Sequence, residues 1–364
     1  MLTKADTDFL WRALELAKKG EGHTRPNPPV GAVVVKGGKI IGEGWHKRCG
    51  GDHAEVAAIK DALRKLKKTN IQNLSTCTLY VTLEPCSKPG RVGACTDAII
   101  AAGVKRVVYA VADPNPKNRG KAKRTLAGHG IVCERADAKQ NVVHQCDELI
   151  RAFRKHMTTG LPFVTVKLAM SLDGKICDNW GRARWISCEA SRKLTGRLRE
   201  TVDAIMVGAE TVRKDNPSLL SHGTRNDDLI RVVVTRSGRL PKNAQIFTDG
   251  APNKTLVFVV GKESRDLKDV LRQLGKAGVM QVLCEGGLEL ATSLAEAGLV
   301  DEWITVLAPL VIGNGKIERA VRGFAPTFTT WPGLTDNLCI FEKGYDWRKN
   351  KRWLSKGGPL CLPD

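Results

Sequence analysis

The sequence predicts two α/β domains in tandem, on three observations. The chain has 364 residues, beyond the roughly 250–300 at which a single hydrophobic core stops growing. Strand-like and helix-like apolar periods alternate along it, the pattern of a sheet covered by helices. The alternation breaks once, at Thr158, Thr159, Gly160 and Pro162 after a basic helical stretch from Gln145 to Met157, and then restarts. The expected organisation is a first domain over 1–150, a second over 160–345 and a basic tail over 346–364.

In the first domain the periodicity predicts a helix over Thr7–Lys19, strands over Val30–Val35 and Lys39–Glu43, and a helix from Ala54. A strand over Thr78–Leu83, a helix from Thr96, a strand over Arg106–Val111, a helix over Arg119–His129 and a strand over Ile131–Glu134 complete it. Beyond Pro162, strands are expected at Phe163–Ala169, Ala204–Gly208, Ile230–Thr235, Thr255–Val260, Val279–Cys284 and Trp303–Leu307, most of them separated by helices. No repeat relates the two halves.

With 42% hydrophobic and 26% charged residues the chain reads as ordinary globular protein. No apolar run is long enough to span a bilayer, and the first twenty residues show helical amphipathicity rather than an export signal. A cytoplasmic location and no membrane partner are expected. Eleven scattered cysteines then favour reduced thiols and metal ligation over disulfides. The net charge of +20 gathers in runs at 64–68, 117–124 and 348–352. Such a field attracts nucleic acids, but also phosphorylated small molecules. No aromatic residues interleave with the runs as single-strand platforms require, so no nucleic-acid partner is expected; a homo-oligomer is left open.

The strongest chemical signal is His53-Ala54-Glu55, followed by Pro85-Cys86 and, after eight intervening residues, Cys95. An imidazole and two thiolates make three tetrahedral zinc ligands and leave a fourth position for water, the arrangement of a catalytic site. Zinc brings the pKa of such a water to about 7, and Glu55 is placed to carry its proton without ligating the metal. Cys95 is expected just before a helix, where backbone N–H groups favour a thiolate. Singly, His53 reads as a helix cap and each cysteine as a small buried hydrophobe; jointly, with Glu55, they select the metal site. A purely structural zinc would need a fourth protein ligand, for which Cys49 and Cys77 are nearest in sequence.

Around these residues, PNPPVGAVVV, GDHAEVAAI and TLEPCSKPGRVGACTDAI resemble the deaminase domain of the bifunctional riboflavin-biosynthesis deaminase/reductase family. The resemblance implies a cytidine-deaminase-like three-layer fold, Zn2+ bound by His53, Cys86 and Cys95, Glu55 as catalytic residue, and Asn27 hydrogen-bonded to a phosphorylated pyrimidine substrate. Nucleoside and polynucleotide deaminases usually place two residues between the paired cysteines; the longer insert here, with Gly90 and Arg91, matches the riboflavin branch. Lys88 and Pro89 stand where many relatives carry histidines. Between its prolines Asn27 also reads as a turn residue, and both readings can hold.

KLAMSLDGKI, ARWIS, RLRETVDAIMVGAETVRKDNPSL and CEGGLELATSLAEAGLVDEW resemble the reductase domain of the same family, which implies a dihydrofolate-reductase-like fold and NADPH as cofactor. By this resemblance Lys167, Ala169, Trp185, Thr211 and Asp215 lie in the cofactor and substrate cleft, and Arg199, Leu219 and Glu285 face the substrate. Gly287, Leu288, Glu289, Leu290, Ala291, Thr292 and Ser293 cradle NADPH, and Arg236 contacts it. From the residues alone, Glu285-Gly286-Gly287 follows a strand and opens a helix, so its N–H groups suit a phosphate, although the glycine pair equally reads as a tight turn. There is no G-x-G-x-x-G fingerprint. Trp185 also reads as core, Asp215 as a turn initiator, and Arg199 as one of several basic residues on a solvated helix face. Relatives often carry arginine at His222 and a small hydroxyl residue at Ala183, which implies either weaker binding of the substrate phosphate or its binding by another residue such as Arg225. The competing reading is a nucleic-acid base deaminase with a basic accessory domain.

Overall fold

The computed structural model describes residues 2–67, 73–88, 93–178, 186–220, 229–250, 255–261, 266–308 and 310–312, with the backbone of 337–342. Trp185, Ala183, His222, Arg225, Gly90, Arg91 and the tail 346–364 lie outside the described residues. The chain divides into two units, Met1–Leu161 and Pro162–Asp364.

The first unit is built on a five-stranded sheet in the order β2-β1-β3-β4-β5, made of β1 (Gly31–Lys36), β2 (Lys39–Trp45), β3 (Cys77–Leu83), β4 (Arg106–Val111) and β5 (Val132–Arg135). β1 runs antiparallel to β2 and β3, while β3, β4 and β5 are parallel. Val81, Thr82 and Leu83 in β3 and Val107 to Val111 in β4 are buried at consecutive positions, as strands covered on both faces must be. The helices are α1 (Lys4–Lys18), α2 (Ala54–Leu66), α3 (Cys95–Ala102), α4 (Lys121–Ala127), α5 (Asn141–Leu149) and α6 (Arg151–Thr159). Thr3 and Asp6 close a capping box on α1. Asp6 then does a second job, accepting hydrogen bonds from the Tyr80 hydroxyl at 2.6 Å and the Arg106 guanidinium at 2.7 Å. That buried acid thus ties α1 to two central strands. The single basic helix expected over Gln145–Met157 is two helices, with Ile150, at φ −102°, between them.

The second unit carries a seven-stranded sheet in the order β12-β11-β6-β10-β7-β8-β9. Its strands are β6 (Phe163–Ser171), β7 (Ala204–Gly208), β8 (Ile230–Thr235), β9 (Thr255–Val259), β10 (Gln281–Cys284), β11 (Glu302–Ala308) and β12 (Asn337–Glu342). All neighbours are parallel except β11 and β12. Parallel neighbours require crossovers, supplied by α7 (Glu189–Thr201), α8 (Ala209–Asp215), α9 (Gln245–Thr248), α10 (Leu267–Lys276) and α11 (Leu288–Glu296). Val202, Ile205, Val207, Val233 and Leu283 form the apolar face on which Leu198 of α7 and Ile246 of α9 pack.

Candidate functional site

Three element ends deliver the candidate metal ligands. His53 occupies the N-cap position of α2 with extended backbone, yet its side chain makes no capping bond, which removes the helix-cap reading. Cys86 follows the end of β3, and Cys95 opens α3 one residue earlier than the sequence predicts. The ligand atoms of the three lie within 4.8 Å of one another, and among the described residues no further His, Cys, Asp or Glu joins them. His53 Nδ1 is 3.1 Å from Cys95 Sγ and 3.7 Å from Cys86 Sγ. The Cys95 N–H points to Cys86 Sγ at 3.3 Å and the Thr96 N–H to the Cys86 carbonyl at 3.1 Å, locking the two cysteine segments together. Neither Cys49 nor Cys77 is in the cluster. A borderline-soft nitrogen and two sulfurs converging as an open triad fit a four-coordinate zinc with one vertex left for water.

The electrostatics show two thiols competing for one proton. The neighbouring Cys95 thiol, against the penalty of burial, and then His53 push Cys86 well below the usual thiol range. Cys95 is pushed well above it by Cys86 and by burial. The two sulfurs therefore titrate as a pair, and a metal held by both would take both as thiolates. Hydrogen bonding to Cys86, with burial opposing, pushes His53 up. Burial, then the Cys86 charge, push the Glu55 carboxyl up to about 7, near the value that suits a proton carrier at neutral pH.

Asn27 sits in a tight turn, its N–H bonded to the Thr24 carbonyl at 2.8 Å, which fits the turn reading, and its side-chain amide meets His46. Its Nδ2 lies 3.0 Å from His46 Nε2, and His46 Nδ1 lies 2.9 Å from the Asp52 carbonyl. A carbonyl only accepts, so Nδ1 carries the proton and Nε2 accepts from Asn27; burial, which pushes His46 down, keeps that ring neutral. His46 packs edge-on against His53, ring centroids 5.2 Å apart. On the other side Asn118 accepts the Ser87 N–H at 2.8 Å and donates to Asp113, whose own N–H goes to Glu84 at 3.2 Å. The Ser87 and Thr96 hydroxyls flanking the two cysteines are buried and without a partner among the described residues.

In the second unit the predicted residues gather at the carboxyl ends of β6, β10, β7 and β8, where open α/β sheets bind ligands. A cavity of about 800 Å³ is lined by Lys167, Ala169, Arg199, Thr211, Asp215 and Glu285. A second, of about 590 Å³, is lined by Arg236, Ser237, Lys268, Glu289, Leu290 and Ser293. Glu210, Thr211 and Gly287 line both, so the two form one groove. Between the arms, a Cβ on Gly286 would stand 2.9 Å from Leu290 Cδ2 and 3.3 Å from the Gly208 nitrogen, which explains the glycine. Arg199 grips Glu285 with both ends of its guanidinium, at 2.7 and 2.9 Å. Burial alone would raise Glu285, but Arg199 and then Lys167 hold it below the usual carboxylate range.

Four predicted residues are placed differently from the lining. Leu219 is 3% exposed with its side chain in the apolar core, so only its backbone is left to face the groove. Ala291 is buried on the core side of α11, while Leu288 is exposed and, like Thr292, lines neither cavity. Of the stretch 287–293, Gly287, Glu289, Leu290 and Ser293 line the groove.

The cytidine and deoxycytidylate deaminase zinc-binding region matches residues 3–111, and the RibD C-terminal domain matches residues 162–329. The chain is 36% identical to riboflavin biosynthesis protein RibD of Aquifex aeolicus, over 95% of this chain and 100% of the relative. It belongs to the RibD family. RibD of Escherichia coli K12 is 35% identical over 90% of this chain and 92% of its own. Among solved structures, the Thermotoga maritima diaminohydroxyphosphoribosylaminopyrimidine deaminase/5-amino-6-(5-phosphoribosylamino)uracil reductase superposes with a TM-score of 0.78 at 32% identity, covering 93% of this chain and 98% of that one. Acinetobacter baumannii RibD gives 0.76 at 35% identity, covering 89% and 92%. As in the family, the fold is α/β throughout, a deaminase-type unit followed by a reductase-type unit. No helix among the described residues is long and apolar enough to cross a membrane.

Proposed function

We propose that this RibD-family protein performs two consecutive steps of riboflavin biosynthesis in the cytoplasm. The first is zinc-dependent deamination of 2,5-diamino-6-(phosphoribosylamino)pyrimidinone by a domain over 1–150. The second is NADPH-dependent reduction of the ribosyl group of the resulting 5-amino-6-(5-phosphoribosylamino)uracil to ribityl phosphate by a domain over 160–345. The observation that carries this reading is the His53, Cys86, Cys95 triad with buried Glu55 beside it, in a chain that also holds the β6–β8 groove.

His53, Cys86 and Cys95 hold the zinc, which when bound makes a water nucleophilic at neutral pH. Asn27, its amide plane set by His46, hydrogen-bonds the pyrimidine ring. Glu55 takes a proton from the attacking water, passes it to the ring nitrogen, and returns a proton to the departing amine, so that water and the amino-pyrimidine become ammonia and a uracil. A carboxyl already pushed up to about 7 accepts and returns that proton with little driving force lost.

In the second domain the α11 N-terminus, opened by Gly287, presents N–H groups to a cofactor phosphate, and Arg236, Glu289 and Ser293 border the same arm. NADPH, when bound, supplies the hydride. Ala169, Thr211 and Asp215 line the arm where the ribosyl carbon must meet it, and Arg199 with Glu285 orients the pyrimidine. One coupled assay tests the whole reading: ammonia release from the diaminopyrimidine followed by a fall in NADPH absorbance. Release without oxidation leaves a deaminase alone; neither signal from zinc-loaded protein removes the proposal.

A further inference from the structure

Arg231 is fully buried, with 0% of its surface exposed, between Ile230 and Val232 in β8. Its guanidinium pairs with Asp249, just beyond α9, and also donates to the Ser218 carbonyl at 2.9 Å. A cation this deep is costly unless paired and fully hydrogen-bonded, so it marks a place where geometry is being fixed. Here the fixed geometry is the 216–220 segment. Alternate residues of a strand share a face, which puts Arg231 on the side of Val233 and therefore among the residues around Leu219.

The segment itself is held against its own preferences. Asn216 at φ 42° and Leu219 at φ 59° both adopt left-handed backbone, uncommon for asparagine and strained for leucine. It is held at three points: Asn216 Oδ1 accepts the Gln245 N–H at 2.7 Å, Ser218 O accepts from Arg231, and Leu220 O accepts from Arg199 at 3.2 Å. The third is the same Arg199 that grips Glu285 in the groove.

We infer that Arg231 and Asp249 form a buried positioning pair that sets the 218–220 backbone, and through Leu220 the Arg199–Glu285 clamp, for the pyrimidine substrate of the reductase. The inference rests on the reading that Arg199 and Glu285 face that substrate. Neither residue of the pair lines the groove, so both act through Arg199 and touch no reacting atom.

The test uses the full-length, zinc-loaded chain with preformed 5-amino-6-(5-phosphoribosylamino)uracil and NADPH. The double variant Arg231→Met/Asp249→Leu removes the pair without leaving an orphan charge. It is expected to raise KM for the pyrimidine about tenfold or more, the scale of sub-ångström misplacement, with KM for NADPH within about twofold and ammonia release unchanged. Arg231→Lys, which keeps the charge opposite Asp249, recovers part of the loss. Should the double variant fail to fold, Asp249→Asn decides, with a smaller rise in the same constant. Pyrimidine KM unchanged, or rising in step with that for NADPH, overturns the pair as a positioning device. Arg199→Ala separates the two levels: no effect of Arg199→Ala on pyrimidine KM defeats the clamp reading itself, whereas a strong effect beside a silent pair variant defeats only this inference.

Discussion

Replacing Gly44 by alanine should disable the deaminase while sparing the reductase, and the size of the effect follows from how closely β2 approaches α2. A Cβ at Gly44 would stand 2.6 Å from the Ala54 carbonyl oxygen and 2.7 Å from the Ala57 Cβ, and closer still to the Ala58 nitrogen. Two of those three neighbours are helix backbone, which cannot swing aside as a side chain would. To reach the 3.4 Å at which ordinary contact begins, the start of α2 must retreat by about 1 Å, the gap set by the Ala58 nitrogen. That stretch is the one that begins at His53 and carries Glu55. Overpacking of this kind costs about 1–3 kcal/mol of stability, and displacing a reacting group by about an ångström costs up to roughly 10²-fold in rate. Gly44→Ala is therefore expected to lower ammonia release between about ten- and a hundredfold. NADPH oxidation with preformed uracil substrate should stay within about twofold, since Gly44 belongs to the other unit. Zinc content, measured on the same sample, separates a lost ligand from a misplaced proton carrier. Full zinc with unchanged ammonia release would refute the argument, because it would mean that the position of Glu55 does not depend on this contact.

Glu55→Gln should abolish ammonia release by about 10²–10⁴-fold while zinc content by atomic absorption stays at the parent level. Gly286→Ala should raise KM for NADPH and leave deamination intact, because its Cβ would press on Leu290 and on the Gly208 nitrogen between the two arms of the groove. Asp6→Asn should destabilise the first domain at pH 7, read by denaturant melts. Burial pulls the Asp6 carboxyl upward, but Arg106, Tyr80 and Thr3 together hold it well below the usual carboxylate range. An acid lowered in the folded state stabilises above its unfolded value, about 3.9, and loses that contribution as pH falls through its folded one. The gap between parent and variant should accordingly be widest near neutrality and shrink below about pH 4.

The fold was legible where the period of the chain matched its burial. β4, β7 and β8 run as predicted, Arg106–Val111, Ala204–Gly208 and Ile230–Thr235, because each is a short, mostly apolar run buried at consecutive positions. β12 was not read from sequence: Asn337–Glu342 is short and pairs only with β11 at the edge of the sheet, so its apolar pattern is too brief to stand out from the flanking residues. The break at Ile150 was missed for a different reason. No glycine or proline marks it, and the basic and apolar positions of Asn141–Leu149 and Arg151–Thr159 continue one another closely enough to read as a single helix.

For the site, the zinc triad was legible because metal ligation restricts residue type and local spacing at once, whereas the residues around it act through contacts between distant segments. His46 follows β2, seven residues before His53, and nothing in its own neighbourhood announces a role. Its neutral ring matters only because the fold brings Asn27, on a separate loop, to its Nε2 and Asp52 to its Nδ1. A second histidine between a strand and the H-x-E helix was the one available signal. Leu219 shows the converse. The resemblance assigns it to the substrate side, but sequence does not separate backbone from side chain, and the structure sends the side chain into the core while bending the backbone to φ 59°. Arg231 lay wholly outside reach, since an arginine opening a strand reads as an exposed strand end. Only the tertiary arrangement, which seals it under α9 beside Asp249, turns that residue from a surface charge into a buried one. A motif thus locates chemistry that depends on residue type, and the supporting geometry, being made of long-range contacts, has to be seen folded.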